Sequence, residues 1–259
     1  MGSATRTRTG DASAARLGGL RRLNLAVGLL HLAQAGVMLA LSNDLAFPVT
    51  ASFLAGDPVT TTALPAAEVV FELPVGPVVA LFLLLAAVDH LLMVVPGVRD
   101  WYEANLRVGR NLARWMEYSV SASVMLILIA MLAGIWGLAA LVGLFAANSA
   151  MILFGWLQET DHEPGGSMTP FWFGTVIGLV PWLVIGYYLL AGDDPPGFVY
   201  GIFVSLFVLF SSFGVNQWLQ YRQVGRWRDY LYGERAYILL SLVAKSLLAW
   251  QIFANVLRA

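Results

Sequence analysis

Leu239-Leu240-Ser241-Leu242-Val243-Ala244-Lys245-Ser246-Leu247 is an apolar run with a cation near its centre. It lies inside a longer apolar stretch, roughly 234–256. A helix of about 20 such residues crosses about 30 Å of hydrocarbon. Working back along the chain, six more stretches of this kind cover roughly 22–42, 75–96, 112–133, 135–157, 170–191 and 198–220. They are continuous and do not alternate polar with apolar, so helices are expected rather than a barrel. The composition agrees: 59% of the 259 residues are hydrophobic, 12% are charged, and mean hydropathy is +0.72. Soluble domains average about 45–50% apolar and about 25% charged. A soluble enzyme and a disordered chain are thereby excluded. The net charge of -1 offers no basic field for nucleic acid. With no cysteine, disulfides and thiolate sites are excluded too. The expected fold is an all-α membrane protein of seven spanning helices, with the lipid bilayer as its surroundings.

Of the 15 basic residues, 14 are arginine and Lys245 alone is lysine. The arginines predict the topology. Arg6, Arg8, Arg16, Arg21 and Arg22 precede the first span; Arg99, Arg107 and Arg110 occupy the second loop; Arg222, Arg226 and Arg228 occupy the sixth. The first, third and fifth loops have none. The N-terminus is therefore expected inside and the C-terminus outside, in a multi-pass protein of the cell membrane. Residues 1–21 form an arginine-rich cytoplasmic arm, and 22–257 the seven-helix domain. The fourth loop (Glu159, Asp161, His162, Glu163) should also lie inside although it is acidic, because acidic residues weigh little in this rule. The first loop, 43–74, is long and extracellular, and its middle, Val59-Thr60-Thr61-Thr62, is expected to pair as a short hairpin. The arginine arm, the apolar run and Ala40-Leu41-Ser42 imitate a cleavable signal, but Leu23–Leu41 is long for one.

An ionisable side chain inside a membrane is a functional hypothesis by default. Snorkelling serves lysines near helix ends and fits a central one poorly. Arginine stays charged, whereas a desolvated lysine can lose its proton and become a nucleophilic amine able to form a Schiff base. The bland alternative is an ion pair pinning two helices. A cation in hydrocarbon needs a carboxylate, and Glu117, in the third span at a similar depth, is the candidate. Ser121 lies one turn from Glu117 and Ser241 one turn from Lys245, each on its partner's helix face. Both could hydrogen-bond the pair, or back-bond to the i−4 carbonyl. His31, His90, Asp89 and Arg114 would join Glu117 in a polar cavity on the cytoplasmic side. The two histidines make a poor metal site, since no third ligand has suitable spacing. Beyond Glu117 the third span carries no charge up to Ala133, and Leu128 stands about three turns on. The aromatics Trp172, Trp182, Tyr187, Tyr188, Phe207, Phe210 and Trp250 could line a chromophore slot, or simply pack. Pro181 is expected to kink the fifth span, and Gly174 and Gly178 form a GxxxG that fits close helix packing.

Seven spans with one lysine in the last suggest a retinal protein. Arg114-Trp115-Met116-Glu117-Tyr118-Ser119-Val120-Ser121-Ala122-Ser123, Asn216-Gln217-Trp218-Leu219-Gln220-Tyr221 and Ser241-Leu242-Val243-Ala244-Lys245-Ser246 together closely resemble the heliorhodopsins, whose N-terminus is inside, inverted relative to other rhodopsins. The resemblance spans nearly the whole chain. It implies a rhodopsin-like bundle holding all-trans retinal on Lys245 as a protonated Schiff base, with Glu117 as sole counterion and Ser241 and Ser121 hydrogen-bonded nearby. It implies that the cavity of His31 and His90 accepts the proton. It also implies pocket positions at Met125, Asn148, Met151, Ile152, Gly155, Tyr188, Phe210, Gln217 and Trp250, to which the aromatic pattern adds Trp172 and Trp182. A homodimer, a small two-stranded sheet from the first loop, a slow photocycle and a sensory role follow by the same resemblance. The expectation is a light sensor, not an enzyme, that signals to an unidentified cytoplasmic partner or regulates a bound enzyme. A light-driven proton transporter or channel is the alternative. No Ser-His-carboxylate set or metal triad supports hydrolytic chemistry.

Overall fold

The computed structural model describes residues 2–57, 59–60 and 65–258, with side chains from Ala15 onward. The described residues form eight α-helices and one hairpin, with short 3-10 and π turns at Gly225–Arg228 and Phe253–Leu257: α1 (Gly2–Leu41), β1 (Ala46–Ser52), β2 (Ala67–Pro74), α2 (Val75–Leu92), α3 (Val98–Arg107), α4 (Leu112–Leu132), α5 (Leu138–Asp161), α6 (Thr169–Ala191), α7 (Gly197–Tyr221) and α8 (Tyr230–Ile252). Seven of them are long and apolar enough to cross a membrane, α3 being the exception. The chain is a multi-pass membrane protein. The arginine-rich arm is continuous with α1 rather than separate from it.

Side chains that face away from the bundle are apolar, as lipid requires: Leu29, Val176, Leu183 and Leu190 are all exposed. Inside, the two ends of the bundle differ. Towards the hairpin end, Phe82 and Leu83 of α2, Leu126, Leu128 and Ile129 of α4, Ile202 and Leu206 of α7, and Leu248 and Ile252 of α8 form one dry core. Towards the arginine end the buried residues include Asn24, His90, Asn111, Arg114, Glu159 and Glu234. This half combines a hydrogen-bonded network with smaller apolar clusters, Leu17, Leu20, Val27, Leu106 and Ile238 among them.

The hairpin differs from expectation. Its strands flank the Val/Thr-rich middle instead of containing it. Val59 and Thr60 lie in a turn, and Thr61 and Thr62 lie outside the described residues. β1 and β2 are antiparallel, Ala46 opposite Pro74 and Ser52 opposite Ala67, with a bulge between Val49 and Thr50. β-branched and aromatic residues (Val49, Thr50, Val69, Val70, Phe71) supply the strand preference. The hairpin is tied to the bundle at two points. Thr50 N–H donates to Trp136 O at 2.9 Å, and Asn43 N–H to Leu257 O at 3.1 Å.

α3 is a second departure: the second loop contains a helix. Tyr102, Asn105 and Leu106 repeat at helical spacing and are buried, while Trp101 faces out. Gly97 and Gly109, at φ of 89° and 75°, begin and end it with turns that disfavour a Cβ.

Candidate functional site: a lysine–glutamate pair beside an apolar cavity

α4 and α8 run in the same direction and place Glu117 against Lys245. Lys245 Nζ donates to Glu117 Oε1 at 3.0 Å, to Oε2 at 3.1 Å and to Ser241 Oγ at 3.0 Å. All three ammonium hydrogens are thus used. The Tyr118 ring lies 4.9 Å from Nζ, a cation–π contact that further compensates the charge. The lysine and glutamate side chains are only 3% and 7% exposed. Burying two ions costs several kcal/mol each, which only close pairing and extra hydrogen bonds offset.

A cavity of about 440 Å³ opens at the pair. Trp115, Tyr118, Met125, Met151, Ile152, Gly155, Trp172, Trp182, Phe210, Gln217 and Tyr237 line it, with Ser241 and Lys245 among them. Trp182 packs edge-on against Phe203, Phe207 and Phe210, at 5.7, 5.4 and 5.3 Å between centroids. Gly155 leaves room for Trp115, whose ring would lie 2.6 Å from a Cβ there. Gly174 and Gly178 admit Phe154 and Met151, so the GxxxG brings α6 close to α5. An apolar slot of this size, with the Lys245 amine at one wall and its paired carboxylate behind it, is in the usual range for a small-molecule site. Its lining suits an apolar ligand and sets a primary amine within reach.

A second polar cluster begins at the histidines. His31 and His90 stack with centroids 6.0 Å apart and planes 8° from parallel. His90 Nδ1 lies 2.7 Å from Asn24 Oδ1, and both ring nitrogens of His31 lack a partner among the described residues. Asn24 Nδ2 donates to Tyr102 OH at 3.4 Å, and Tyr102 OH donates to Glu234 Oε1 at 3.1 Å. Burial and the neighbouring Glu234 carboxylate push the Tyr102 hydroxyl above its usual range, so it remains a donor.

Three groups of residues depart from expectation. Arg114 does not contact the histidines and reaches them only through Glu234 and the chain behind it. Its guanidinium bonds Glu234 through Nη1 and Glu159 through Nη2, the latter at 2.5 Å, and lies 3.9 Å from the Tyr237 ring centroid. Two buried carboxylates attract it more than a neutral imidazole does. Ser121 is buried but its Oγ has no partner among the described residues, because the Glu117 carboxylate turns to Lys245. Its neighbours Ser119 and Ser123 bond backbone carbonyls instead, Ser123 at i−4. Asn148, Tyr188 and Trp250 do not line the cavity: Asn148 donates to Ser123 Oγ at 3.0 Å, Tyr188 is exposed beside Tyr187, and Trp250 donates to Gln34 at 3.1 Å. Asp89 is half-buried and makes no ion pair among the described residues.

Glu159 and Glu234 went unrecognised as buried groups. Glu159 belongs to α5, not to the fourth loop. It accepts from Asn111 N–H, Trp115 Nε1 and Tyr230 OH at 2.7, 2.6 and 2.9 Å. A usable signal existed: Glu234, Tyr237, Ser241 and Lys245 fall on one face of α8, at steps of three, four and four residues.

Similarity to known proteins agrees with this architecture. A light-driven proton pump from Leptosphaeria maculans is similar over 91% of this chain and 93% of its own, at 14% identity and a TM-score of 0.59. Exiguobacterium sibiricum rhodopsin is similar over 92% and 95%, at 15% identity and 0.61. Thermophilic rhodopsin is similar over 94% and 93%, at 12% identity and 0.62. At these identities the likeness establishes the rhodopsin-like fold alone. Comparison with curated proteins finds no match. The heliorhodopsin family model matches residues 20–257, nearly the whole chain, and with that match the chain belongs to the heliorhodopsin family.

Proposed function

We propose that this protein is a light sensor that does not transport ions. The family implies a retinal chromophore. Bound covalently at Lys245 Nζ, all-trans retinal would supply visible absorption and light-driven isomerisation. The observation that carries this reading is the buried Lys245–Glu117 pair at 3.0 Å, with Lys245 on the wall of an apolar cavity. Glu117 holds the countercharge at Nζ, and Ser241 accepts a hydrogen bond beside it. Trp182, Phe210 and Met151 exclude water and limit how a ligand lies. His31 and His90 are the buried bases that accept a proton leaving Nζ. The arginine-bearing end is read as cytoplasmic and the hairpin as extracellular, in the cell membrane.

Two further parts of the reading have support on the surface. The exposed strip Val69, Val70 and Phe71 on β2 supports a homodimer through the hairpin. An unidentified cytoplasmic partner would take the signal from the arginine-bearing end. Transport is disfavoured by the dry core between Glu117 and the hairpin end, where Leu126, Leu128 and Ile129 are fully buried among other apolar side chains.

The absorption spectrum tests the reading. Purified protein supplied with retinal should gain a visible band that hydroxylamine bleaches and Lys245→Ala abolishes. No band in the unaltered protein would refute it. Glu117→Gln should shift the band strongly, and an unchanged spectrum would place the counterion elsewhere.

A further inference from the structure

The hydrogen bonds leaving His90 end on Glu234, and the far end of that chain decides which nitrogen of His90 carries a proton. Asn24, His90, Tyr102 and Glu234 are all at least nine-tenths buried, so bulk water cannot supply substitute partners. Arg114 Nη1 donates to Glu234 Oε2, and Asn111 Nδ2 to Oε1 at 2.7 Å, which holds Glu234 as a carboxylate. A carboxylate only accepts. Tyr102 has one hydroxyl hydrogen, and 3.1 Å from Glu234 Oε1 that hydrogen is committed there. The Tyr102 oxygen can then only accept from Asn24, so the amide NH₂ of Asn24 faces Tyr102 at 3.4 Å. The amide oxygen is thereby turned to His90 Nδ1, 2.7 Å away, and a short contact with an obligate acceptor requires a hydrogen on Nδ1.

We propose that Glu234, Tyr102 and Asn24 are positioning residues that fix neutral His90 with its proton on Nδ1, leaving Nε2 as the proton-accepting atom of the buried histidine pair. What the accepted proton signals rests on the light-sensing reading; the tautomer does not. The logic is that of the carboxylate that sets the tautomer of a catalytic histidine, here acting through two intervening groups. His31 makes no competing demand, because it stacks on His90 and neither of its nitrogens bonds a described residue. Tyr102 lies on α3, so a helix outside the bundle sets the chemistry of a base within it.

The test is nitrogen NMR of the full chain in lipid bilayers, with ring-labelled histidine, in the dark, with and without retinal. His90 is assigned by the signals lost in His90→Asn. The expected result is a protonated Nδ1 and an unprotonated Nε2. Tyr102→Phe removes the hydroxyl that orients Asn24, so the His90 signals should split between both tautomers or move to Nε2–H. Adding Asn24→Asp to Tyr102→Phe supplies an acceptor that cannot turn round, and should restore Nδ1–H. A proton on Nε2 in the unaltered protein would overturn the proposal, and so would an unsplit Nδ1–H in Tyr102→Phe. Retinal binding is read separately from the visible band, so loss of either result leaves the other standing.

Discussion

Lys245 was legible as a residue because the chain uses arginine everywhere else it needs a basic group. Glu117 followed from depth alone. Ser241 lies four residues before Lys245 and Ser121 four after Glu117, and helical side chains lean back toward the N-terminus, so only Lys245 reaches its serine. If Glu117 is replaced by Ala, Lys245 is left as a buried charge without its carboxylate. That should destabilise the protein without retinal by about 3–5 kcal/mol, read from denaturant unfolding in detergent. A stability within about 1 kcal/mol of the unaltered protein would mean that Nζ is neutral there. Gly155→Ala tests the cavity wall. The added methyl meets Trp115 at 2.6 Å, so overpacking should cost about 1–3 kcal/mol and slow retinal uptake by pushing the indole into the slot.

Among the elements, six of the seven spans were readable to within four residues because lipid demands long unbroken apolar runs, whereas the first begins at Ala15, seven residues before its expected start. α3 was not readable. It is ten residues long, polar on average, and held by Tyr102, Asn105 and Leu106 rather than by its own apolarity. The hairpin was expected from the right loop but in the wrong residues, because β1 is anchored through Thr50 to Trp136 and its lead-in through Asn43 to Leu257, far along the chain. The start of α4 shows how local and distant demands meet. Asn111 caps the helix by accepting from Arg114 N–H at 3.2 Å, while its amide donates to Glu234. Asn111→Ala should cost about 0.5–2 kcal/mol through the cap, plus the lost bond to Glu234. Asn111→Asp keeps the cap but sets a second carboxylate beside Glu234. It should be the less stable of the two in thermal unfolding, and the reverse order would show that Glu234 carries a proton.

Across the whole molecule, a dry half faces a polar half, with Lys245 and Glu117 at the boundary. Average composition hid this division, since buried Glu159 and Glu234 lie near the ends of their apolar runs and looked like flanking charge. The division predicts signalling without transport: illuminated cells expressing the protein should show no light-induced pH change with or without protonophore. A protonophore-sensitive change would mean that the core of Leu126, Leu128 and Ile129 opens. Phe71→Asp on the exposed face of β2 should shift a dimer to monomer in light-scattering chromatography, and an unchanged dimer would place the interface elsewhere. All of these expectations depend on what Lys245 holds. Retinal-loaded protein can be reduced with borohydride, digested and mapped by mass spectrometry. The retinyl group should be found on the peptide containing Lys245 and nowhere else. An unmodified Lys245 in a protein that carries the visible band would contradict the account.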